Sequence, residues 1–185
     1  MKSSPRATVV SVLAAVLAVM APTGPARGQA TRPRADHAVP TVRSVWQPIA
    51  GYIAQSAEDM PEDKYGYKPT PEVRSFGQLI AHVAGSQYMY CAAATGDSAR
   101  SEDAIEKTRT TKSELIAALR ESTEYCGKAY SQSDASTRRS ITMFGQKQTR
   151  LWALMSNAAH DDEHYGNIVT YLRLNGMVPP SSKGP

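Results

Sequence analysis

The spacing of apolar residues constrains this chain more than any other feature. They recur every three to four residues in four blocks, and no block alternates apolar and polar residues as a half-buried strand does. The blocks predict four helices, from Val42 to about Met60, from Ser75 to about Ala94, from Thr111 to about Tyr130 and from about Lys147 to Leu174. A short stretch around Ile141 can be extended. Four long helices around one core predict an all-α four-helix bundle.

Local capping residues mark where several of these helices begin and end. Ser75 with Gln78, and Thr111 with Glu114, have the spacing of a capping box, which satisfies free backbone N–H groups at a helix start. Gly176 supplies a left-handed stop after the last helix. These signals place the helix boundaries without reference to any other part of the chain.

The first thirty residues have the composition of an export signal. Lys2 and Arg6 precede a mostly apolar run from Ala7 to Ala21, and Gly28 and Ala30 fit a signal-peptidase site. A membrane span needs ~20 residues, so an uncleaved anchor is the less favoured alternative. We therefore predict a secreted or periplasmic protein without a stable membrane anchor after cleavage. Its segments would be a signal peptide at 1–30, a flexible leader at 31–41, one domain at 42–180 and a tail at 181–185.

The positive charge of the chain belongs largely to that export signal. The chain has 21 Lys and Arg against 17 Asp and Glu, and three of the basic residues but no acidic residue lie in 1–30, which leaves 18 against 17. No basic run with interleaved aromatic residues remains. This balance argues against a nucleic-acid partner. A homodimer stays open.

Two cysteines, Cys91 and Cys126, remain in the exported part of the chain. In an oxidising compartment an even number of cysteines favours a disulfide. The alternative is a pair of buried free thiols, because cysteine is among the most buried residue types. We expect the disulfide.

His160 and His164 are the residues that point most directly to a site. Residues four apart on a helix lie on the same face, and this spacing can offer two nitrogen ligands to one metal ion. His82 lies on the flank of the apolar stripe of the second helix, from which it could join the pair. The alternative is a set of half-buried histidines that hydrogen-bond to the core, and spacing alone does not decide between the two.

Two carboxylates near the histidine pair are candidate catalytic residues, Asp161 and Glu163. Asp161 falls inside the apolar arc of the last helix, where an unpaired carboxylate is costly. We expect it either to accept a hydrogen bond from a ligating imidazole or to form a salt bridge with Arg74. Glu163 is expected to face solvent.

A metallopeptidase motif overlaps the same stretch. Residues 160–164 match the letters of the pattern H-x-x-E-H, whereas the pattern H-E-x-x-H fails because Asp161 stands at the glutamate position. Both peptidase classes take a further ligand downstream. No Asp, Glu, His or Cys follows His164, so the sequence argues against a metallopeptidase.

Three stretches of the chain resemble the DinB-like (YfiT-like) family of four-helix-bundle metalloproteins. They are residues 60–62 with 65–76, residues 78–84, and residues 160–180, which read HDDEHYGNIVTYLRLNGMVPP. The resemblance implies an up-down-down-up bundle with parallel second and third helices. It also implies a divalent metal on three histidines, which are His82, His160 and His164 in this chain. A parallel pair of helices would bring Cys91 and Cys126 to the same end.

Three neutral imidazoles leave coordination positions for water or substrate. Zinc, nickel, iron and manganese all accept such ligands. The resemblance therefore implies a metal-dependent enzyme, of the hydrolase or thiol-dependent transferase type, that acts on an unidentified small molecule. The alternatives are a non-catalytic metal-binding module and a partner-binding bundle. An open pocket over the histidines would favour the enzyme, and a capped site with a fourth protein ligand would favour a structural ion.

Overall fold

The computed structural model describes residues 36–184 and shows a mostly helical fold. The helices are α1 (Ala38–Asp59), α2 (Phe76–Thr95), α3 (Lys112–Ala129), the single turn α4 (Asp134–Thr137) and α5 (Arg150–Leu174). Strands β1 (Ser140–Met143) and β2 (Gln146–Thr149) pair as an antiparallel hairpin before α5. The four predicted long helices are confirmed, except that the last begins at Arg150 rather than near Lys147, because Gln146–Thr149 form β2. The predicted signal peptide, and the leader as far as residue 35, lie outside the described residues.

Helices α2 and α3 run in the same direction. Near their starts, Gly77 lies close to the Leu115 side chain, so that a Cβ there would be 3.3 Å from Leu115 Cδ1. Near their ends, Cys91 and Cys126 form a disulfide with Cα atoms 5.3 Å apart. The predicted disulfide is therefore present, and the alternative of free thiols is wrong.

Helices α1 and α5 form the second parallel pair. Trp46 of α1 hydrogen-bonds to Asp161 of α5, and further along both helices Tyr52 stacks on Tyr165 with ring centroids 5.3 Å apart. These two contacts advance together along both helices, which is possible only if the helices point the same way.

Helix α5 is antiparallel to α2. The hydroxyl of Tyr171, near the end of α5, donates to the backbone oxygen of Arg74, just before α2 (2.6 Å). Gln87, beyond the middle of α2, donates to Asp161, which is nearer the start of α5 (2.9 Å). The directions of the four long helices are therefore up, down, down and up.

A buried chain of hydrogen bonds joins all four long helices. Trp46 Nε1 and Gln87 Nε2 both donate to Oδ2 of Asp161, each at 2.9 Å. The side-chain oxygen of Gln87 accepts from Ser122 Oγ at 2.8 Å and from Thr123 Oγ1 at 3.1 Å, both on α3. Buried polar groups are costly unless they are paired. This hydrogen-bonded network therefore specifies which turns of the four helices lie next to one another.

Neither partner predicted for Asp161 is found. No histidine hydrogen-bonds to its carboxylate among the described residues, and Arg74 pairs instead with Glu106, with Nε 3.2 Å from Oε2. The reason is the direction of the side chain. Asp161 is fully buried and faces the centre of the bundle, whereas the Arg74 side chain is 41% exposed.

Apolar side chains pack on both sides of this hydrogen-bonded chain. On one side lie Ile53, Phe76, Ile80, Leu115, Leu119, Ile168 and Leu172, and on the other lie Val39, Trp46, Tyr130, Ala153 and Leu154. Burying one large apolar side chain stabilises the fold by ~1.5–3 kcal/mol. The apolar clusters therefore supply most of the stability, and the polar chain between them supplies the register.

Helix α1 begins at Ala38, before the predicted domain start at Val42. Its own first residues offer no side-chain cap. Instead, the carboxylate of Asp134 accepts hydrogen bonds from the backbone N–H groups of His37, Ala38 and Val39, each at 2.9 Å. A helix start leaves several N–H groups without partners. Here the cap comes from α4, far away in the sequence.

The segment predicted as a C-terminal tail packs against the bundle. Ser181 lies in a 3₁₀ turn, and its hydroxyl accepts from the Tyr165 hydroxyl at 2.8 Å. Lys183 Nζ pairs with Oδ2 of Asp59 at the end of α1 (2.6 Å). No helix among residues 36–184 is long and apolar enough to cross a membrane.

We predict that the disulfide contributes substantially to stability. It closes a loop with a sequence separation of 35, for which the chain-entropy estimate is about 3–4 kcal/mol. The double variant Cys91→Ala/Cys126→Ala should unfold at a lower urea concentration than the oxidised protein, and reduced wild-type protein should behave similarly. Equal unfolding midpoints for the oxidised protein and the double variant would contradict this prediction.

We also predict a pH-dependent effect of Asp161→Asn. Burial raises the pKa of Asp161 to about 7, from an ordinary value for an aspartate of 3.8. Between these values the folded state binds more protons than the unfolded state, so wild-type stability falls as pH rises through this window. In the Asp161→Asn variant the side chain does not titrate, so this fall in stability with rising pH is absent. Its stability relative to wild type should therefore rise by up to about 1.4 kcal/mol per pH unit from about pH 4 to pH 7, and then level off.

Urea unfolding of metal-free wild-type and Asp161→Asn proteins at several pH values measures this difference. The histidines titrate in both proteins, so their contribution cancels. Parallel stability profiles across the window would show that the Asp161 carboxyl is not held in its neutral form.

Candidate metal centre

The antiparallel contact between α2 and α5 brings the three predicted histidines together. His82 lies on α2 slightly more than one turn before Gln87, and His160 and His164 lie on either side of Asp161 on α5. Because Gln87 and Asp161 are hydrogen-bonded, the neighbouring turns of the two helices must face each other. The histidines therefore meet as a consequence of the helix register.

The imidazole nitrogens converge on one point. The Nε2 atoms of His160 and His164 are 3.1 Å apart. The His82 ring centroid is 5.1 Å from that of His160 and 4.8 Å from that of His164. One nitrogen of each ring lies within 4.8 Å of the others. Ligand nitrogens around a tetrahedral zinc ion are ~3.3 Å apart, so a small inward movement would place all three at ligand distance from one cation.

The three rings are held in the form that binds a metal. Burial lowers the pKa of His82 and of His160, and it lowers the pKa of His164 to about 4. The neighbouring imidazoles lower these pKa values further, because two charged rings would repel each other. Neutral imidazole is the ligating form. The donor set therefore fits a divalent cation near neutral pH.

Asn167 is placed to orient His164. Its side-chain amide lies 3.3 Å from His164 Nδ1, and the oxygen and nitrogen of such an amide interchange by a rotation. With the oxygen towards the ring, Asn167 accepts a hydrogen bond from Nδ1–H of His164, and the lone pair of Nε2 stays free for a metal ion. The Nδ1 atoms of His82 and His160 are buried and have no hydrogen-bond partner among the described residues. Those two rings are oriented by packing instead.

A carboxylate that the sequence analysis missed lies beside two of the histidines. Oε1 of Glu102, in the connection between α2 and α3, is 3.7 Å from Nε2 of His82 and 3.7 Å from Nε2 of His160. The hydroxyl of Ser86 donates to the same oxygen at 2.7 Å. A carboxylate oxygen therefore lies near two of the three ring nitrogens.

The sequence contained a partial indication of this contact. The small residues Ala84, Gly85 and Ser86 of α2 leave room for another segment to approach closely. That segment is the 3₁₀ turn Glu102–Ala104, and a Cβ at Gly85 would collide with the backbone oxygen of Glu102. Small residues show that something approaches, but they do not show what approaches.

The two predicted catalytic carboxylates lie in different environments. Asp161 is fully buried and shares one oxygen between Trp46 and Gln87. Glu163 is exposed, as expected. Neither carboxylate is hydrogen-bonded to a histidine in the described part of the chain. Glu102, which the sequence did not single out, lies beside two of the ring nitrogens instead.

One of the histidines borders an open pocket. A cavity of about 640 Å³ is lined by His164 together with Arg74, Leu79, Glu106, Asn167 and Tyr171, among others. This volume is within the range of small-molecule sites. Another pocket of about 580 Å³, between α2 and α3, is lined by residues such as Tyr88 and Arg100 and by none of the histidines. Of these two pockets, the first is the one that borders the histidine cluster.

Comparisons with solved structures find the same fold in several proteins. A DinB-like protein from Bacillus subtilis is 24% identical with a TM-score of 0.61, over 75% of this chain and 93% of that chain. YfiT from Bacillus subtilis is 16% identical with a TM-score of 0.60, over 79% of this chain and 94% of YfiT. It is described as a probable metal-dependent hydrolase with an unusual four-helix bundle topology. A mycothiol-dependent maleylpyruvate isomerase is 16% identical with a TM-score of 0.55, over 73% of this chain and 66% of the isomerase.

No curated protein matches the chain in sequence. The family model of the DinB superfamily, however, matches residues 51–168, which is well over half of the chain and includes all three histidines of the site. The sequence match and the shared fold lead to the same conclusion. This chain belongs to the DinB superfamily.

Proposed function

We propose that this protein is an exported, divalent-metal-dependent enzyme of the hydrolase type, with the ion held by His82, His160 and His164. The observation that carries the proposal is the convergence of three imidazoles, those of His82 and His164 buried and that of His160 half-buried, at a point where His164 lines an open pocket. A pocket of this kind is the feature that separates a reactive site from a purely structural one.

A divalent cation in this site would act as a Lewis acid towards a carbonyl or phosphoryl oxygen and would acidify water. The surrounding residues supply the remaining functions. Burial keeps the imidazoles neutral, and Asn167 orients His164. Zinc, nickel, iron and manganese all suit this donor set.

Arg74 is placed to bind an anionic group of the substrate. Its side chain lines the pocket and is 41% exposed, and its only ion pair with a residue of 36–184 is from Nε to Glu106 (3.2 Å). A guanidinium has five N–H donors in a fork that matches carboxylate and phosphate groups. The other donors of Arg74 are therefore available to a small acidic ester, amide or phosphoester.

Two features support a location outside the cytosol. The first thirty residues have the composition of a signal peptide, and a disulfide such as Cys91–Cys126 persists in oxidising compartments. A secreted or periplasmic location also favours a hydrolase over a thiol-dependent transferase, because low-molecular-weight thiol cofactors belong to the cytosol. We therefore rank thiol chemistry, which the mycothiol-dependent neighbour performs, below hydrolysis.

The second candidate function is a non-catalytic metal-binding module. It is favoured by the burial of His82, which is 6% exposed, and by the carboxylate of Glu102 beside the cluster. Both features are typical of an ion that ties secondary-structure elements together. The two candidates agree on the ion and differ on whether a substrate reaches it.

We predict that each of His82→Ala, His160→Ala and His164→Ala lowers the metal content sharply. Loss of one of three ligands should weaken binding at least as much as the ~10–100-fold typical for loss of an outer-shell partner. Metal analysis after dialysis, and calorimetric titration of the metal-free proteins, measure this effect. His37→Ala is the matched control, because His37 is exposed at the start of α1. Equal metal retention in all four variants would contradict the proposal that these histidines bind a metal ion.

We predict that the metal-loaded protein hydrolyses members of a panel of chromogenic esters, amides and phosphoesters. A chelator should abolish turnover, and return of the ion should restore it. Arg74→Gln should raise KM several-fold for acidic members of the panel only, whereas Arg173→Gln, at an exposed position on α5, should not. A stoichiometrically loaded protein without turnover on any substrate would favour the non-catalytic module.

A further inference from the structure

We propose that Glu102 is a fourth ligand of the metal ion, so that the site is built from three histidines and one glutamate. This inference rests on the proposed function and assigns a residue to the same site. Glu102 belongs to the connection between α2 and α3, so the ion would tie that connection to both histidine-bearing helices.

The first support is the spacing of the donor atoms. Oε1 of Glu102 is 3.7 Å from Nε2 of both His82 and His160, and the Nε2 atoms of His160 and His164 are 3.1 Å apart. Donor atoms that share an ion at ~2.0–2.2 Å are ~3.3 Å apart at a tetrahedral angle. The carboxylate oxygen therefore lies beside two of the three nitrogens, slightly farther from each than two ligands of one ion lie from each other.

The second support is that no Lys or Arg in residues 36–184 neutralises the charge of the Glu102 carboxylate. Among the described residues, no Lys or Arg forms an ion pair with Glu102, and its side-chain partners are Ser86 and the two histidines. The neighbouring Glu106, in contrast, pairs with Arg74. Three imidazoles add no charge to a divalent ion, and a partly buried carboxylate would offset one of its two charges.

The third support is that the backbone brings Glu102 to this position. The 3₁₀ turn that contains Glu102 approaches α2 so closely that a Cβ at Gly85 would collide with the Glu102 backbone oxygen. Ser86 then hydrogen-bonds to the carboxylate at 2.7 Å. Gly85 permits the approach and Ser86 orients the side chain, so two adjacent residues of α2 serve the placement of one carboxylate.

A fourth protein ligand has a consequence for the choice of ion. In a tetrahedral zinc site, four protein ligands leave no position for substrate, whereas ions that accept five or six ligands keep at least one. Carboxylate ligands also suit harder ions such as manganese. The ligand set therefore favours manganese, iron or nickel over zinc for a site that binds substrate.

The test compares metal binding by metal-free wild-type protein and two isosteric variants. Glu102→Gln removes the charge of the proposed ligand, and Glu106→Gln is the matched control in the same connection. Calorimetric titration with Mn²⁺ and Zn²⁺ gives the dissociation constants, and the visible spectrum of the Co²⁺ complex reports the number and type of ligands. Thermal unfolding of the metal-free proteins checks that these variants, and the Gly85→Ala variant used beside them, are folded.

We expect Glu102→Gln to raise the Kd for Mn²⁺ at least tenfold, to raise it less for Zn²⁺, and to change the Co²⁺ spectrum. Glu106→Gln should stay within about twofold of wild type. Gly85→Ala should also weaken Mn²⁺ binding, because its methyl group would displace the turn that carries Glu102. All three variants keep His82, His160 and His164.

The outcomes separate this inference from the proposed function. Unchanged affinities and an unchanged Co²⁺ spectrum in Glu102→Gln, together with loss of binding in His160→Ala, would overturn the role of Glu102 and leave the three-histidine site intact. Failure of the wild-type protein to bind any of these ions would overturn both. Equal weakening by Glu102→Gln and Glu106→Gln would show a general effect of charge and would also overturn the inference.

Discussion

The hydrogen bond between Gln87 and Asp161 is the contact on which the rest of the structure depends. The Asp161 carboxylate also accepts from Trp46, and the Gln87 oxygen accepts from Ser122, so that one buried chain reaches all four long helices. Apolar packing tolerates sliding by a turn, whereas a buried polar chain loses its partners when it slides. The buried hydrogen-bonded network therefore sets the register of the helices along their axes.

The histidine cluster follows from that register. His82 lies slightly more than a turn from Gln87, and His160 and His164 lie beside Asp161, so the helices that share the hydrogen bond also share the site. Donor groups mounted on rigid helices are held in place before an ion arrives. The connection between α2 and α3 contributes Glu102, which is positioned by its close approach to Gly85 and by Ser86. The site thus combines three histidines on two rigid helices with one carboxylate from the connection between α2 and α3.

The features that were predictable from the sequence are those determined by neighbours within about one turn. The four long helices, the capping boxes at Ser75 and Thr111, and the shared face of His160 and His164 all depend on local spacing. The disulfide was expected from the cysteine count and the export signal, and the resemblance to a known family implied the parallel α2 and α3 that place both cysteines at one end. Its presence in the structure is independent of any assumption about the ion.

The remaining features depend on residues that are far apart in the chain. Asp134 caps α1 from a distance, Trp46 and Gln87 bind Asp161 where we expected an imidazole or Arg74, and Glu102 faces His82 and His160. The sequence by itself determined the helices and a pair of histidines on one face. Only the tertiary structure decided which distant groups meet them, because helix formation depends on contacts within a few residues, whereas pairing of buried polar groups depends on how whole helices pack.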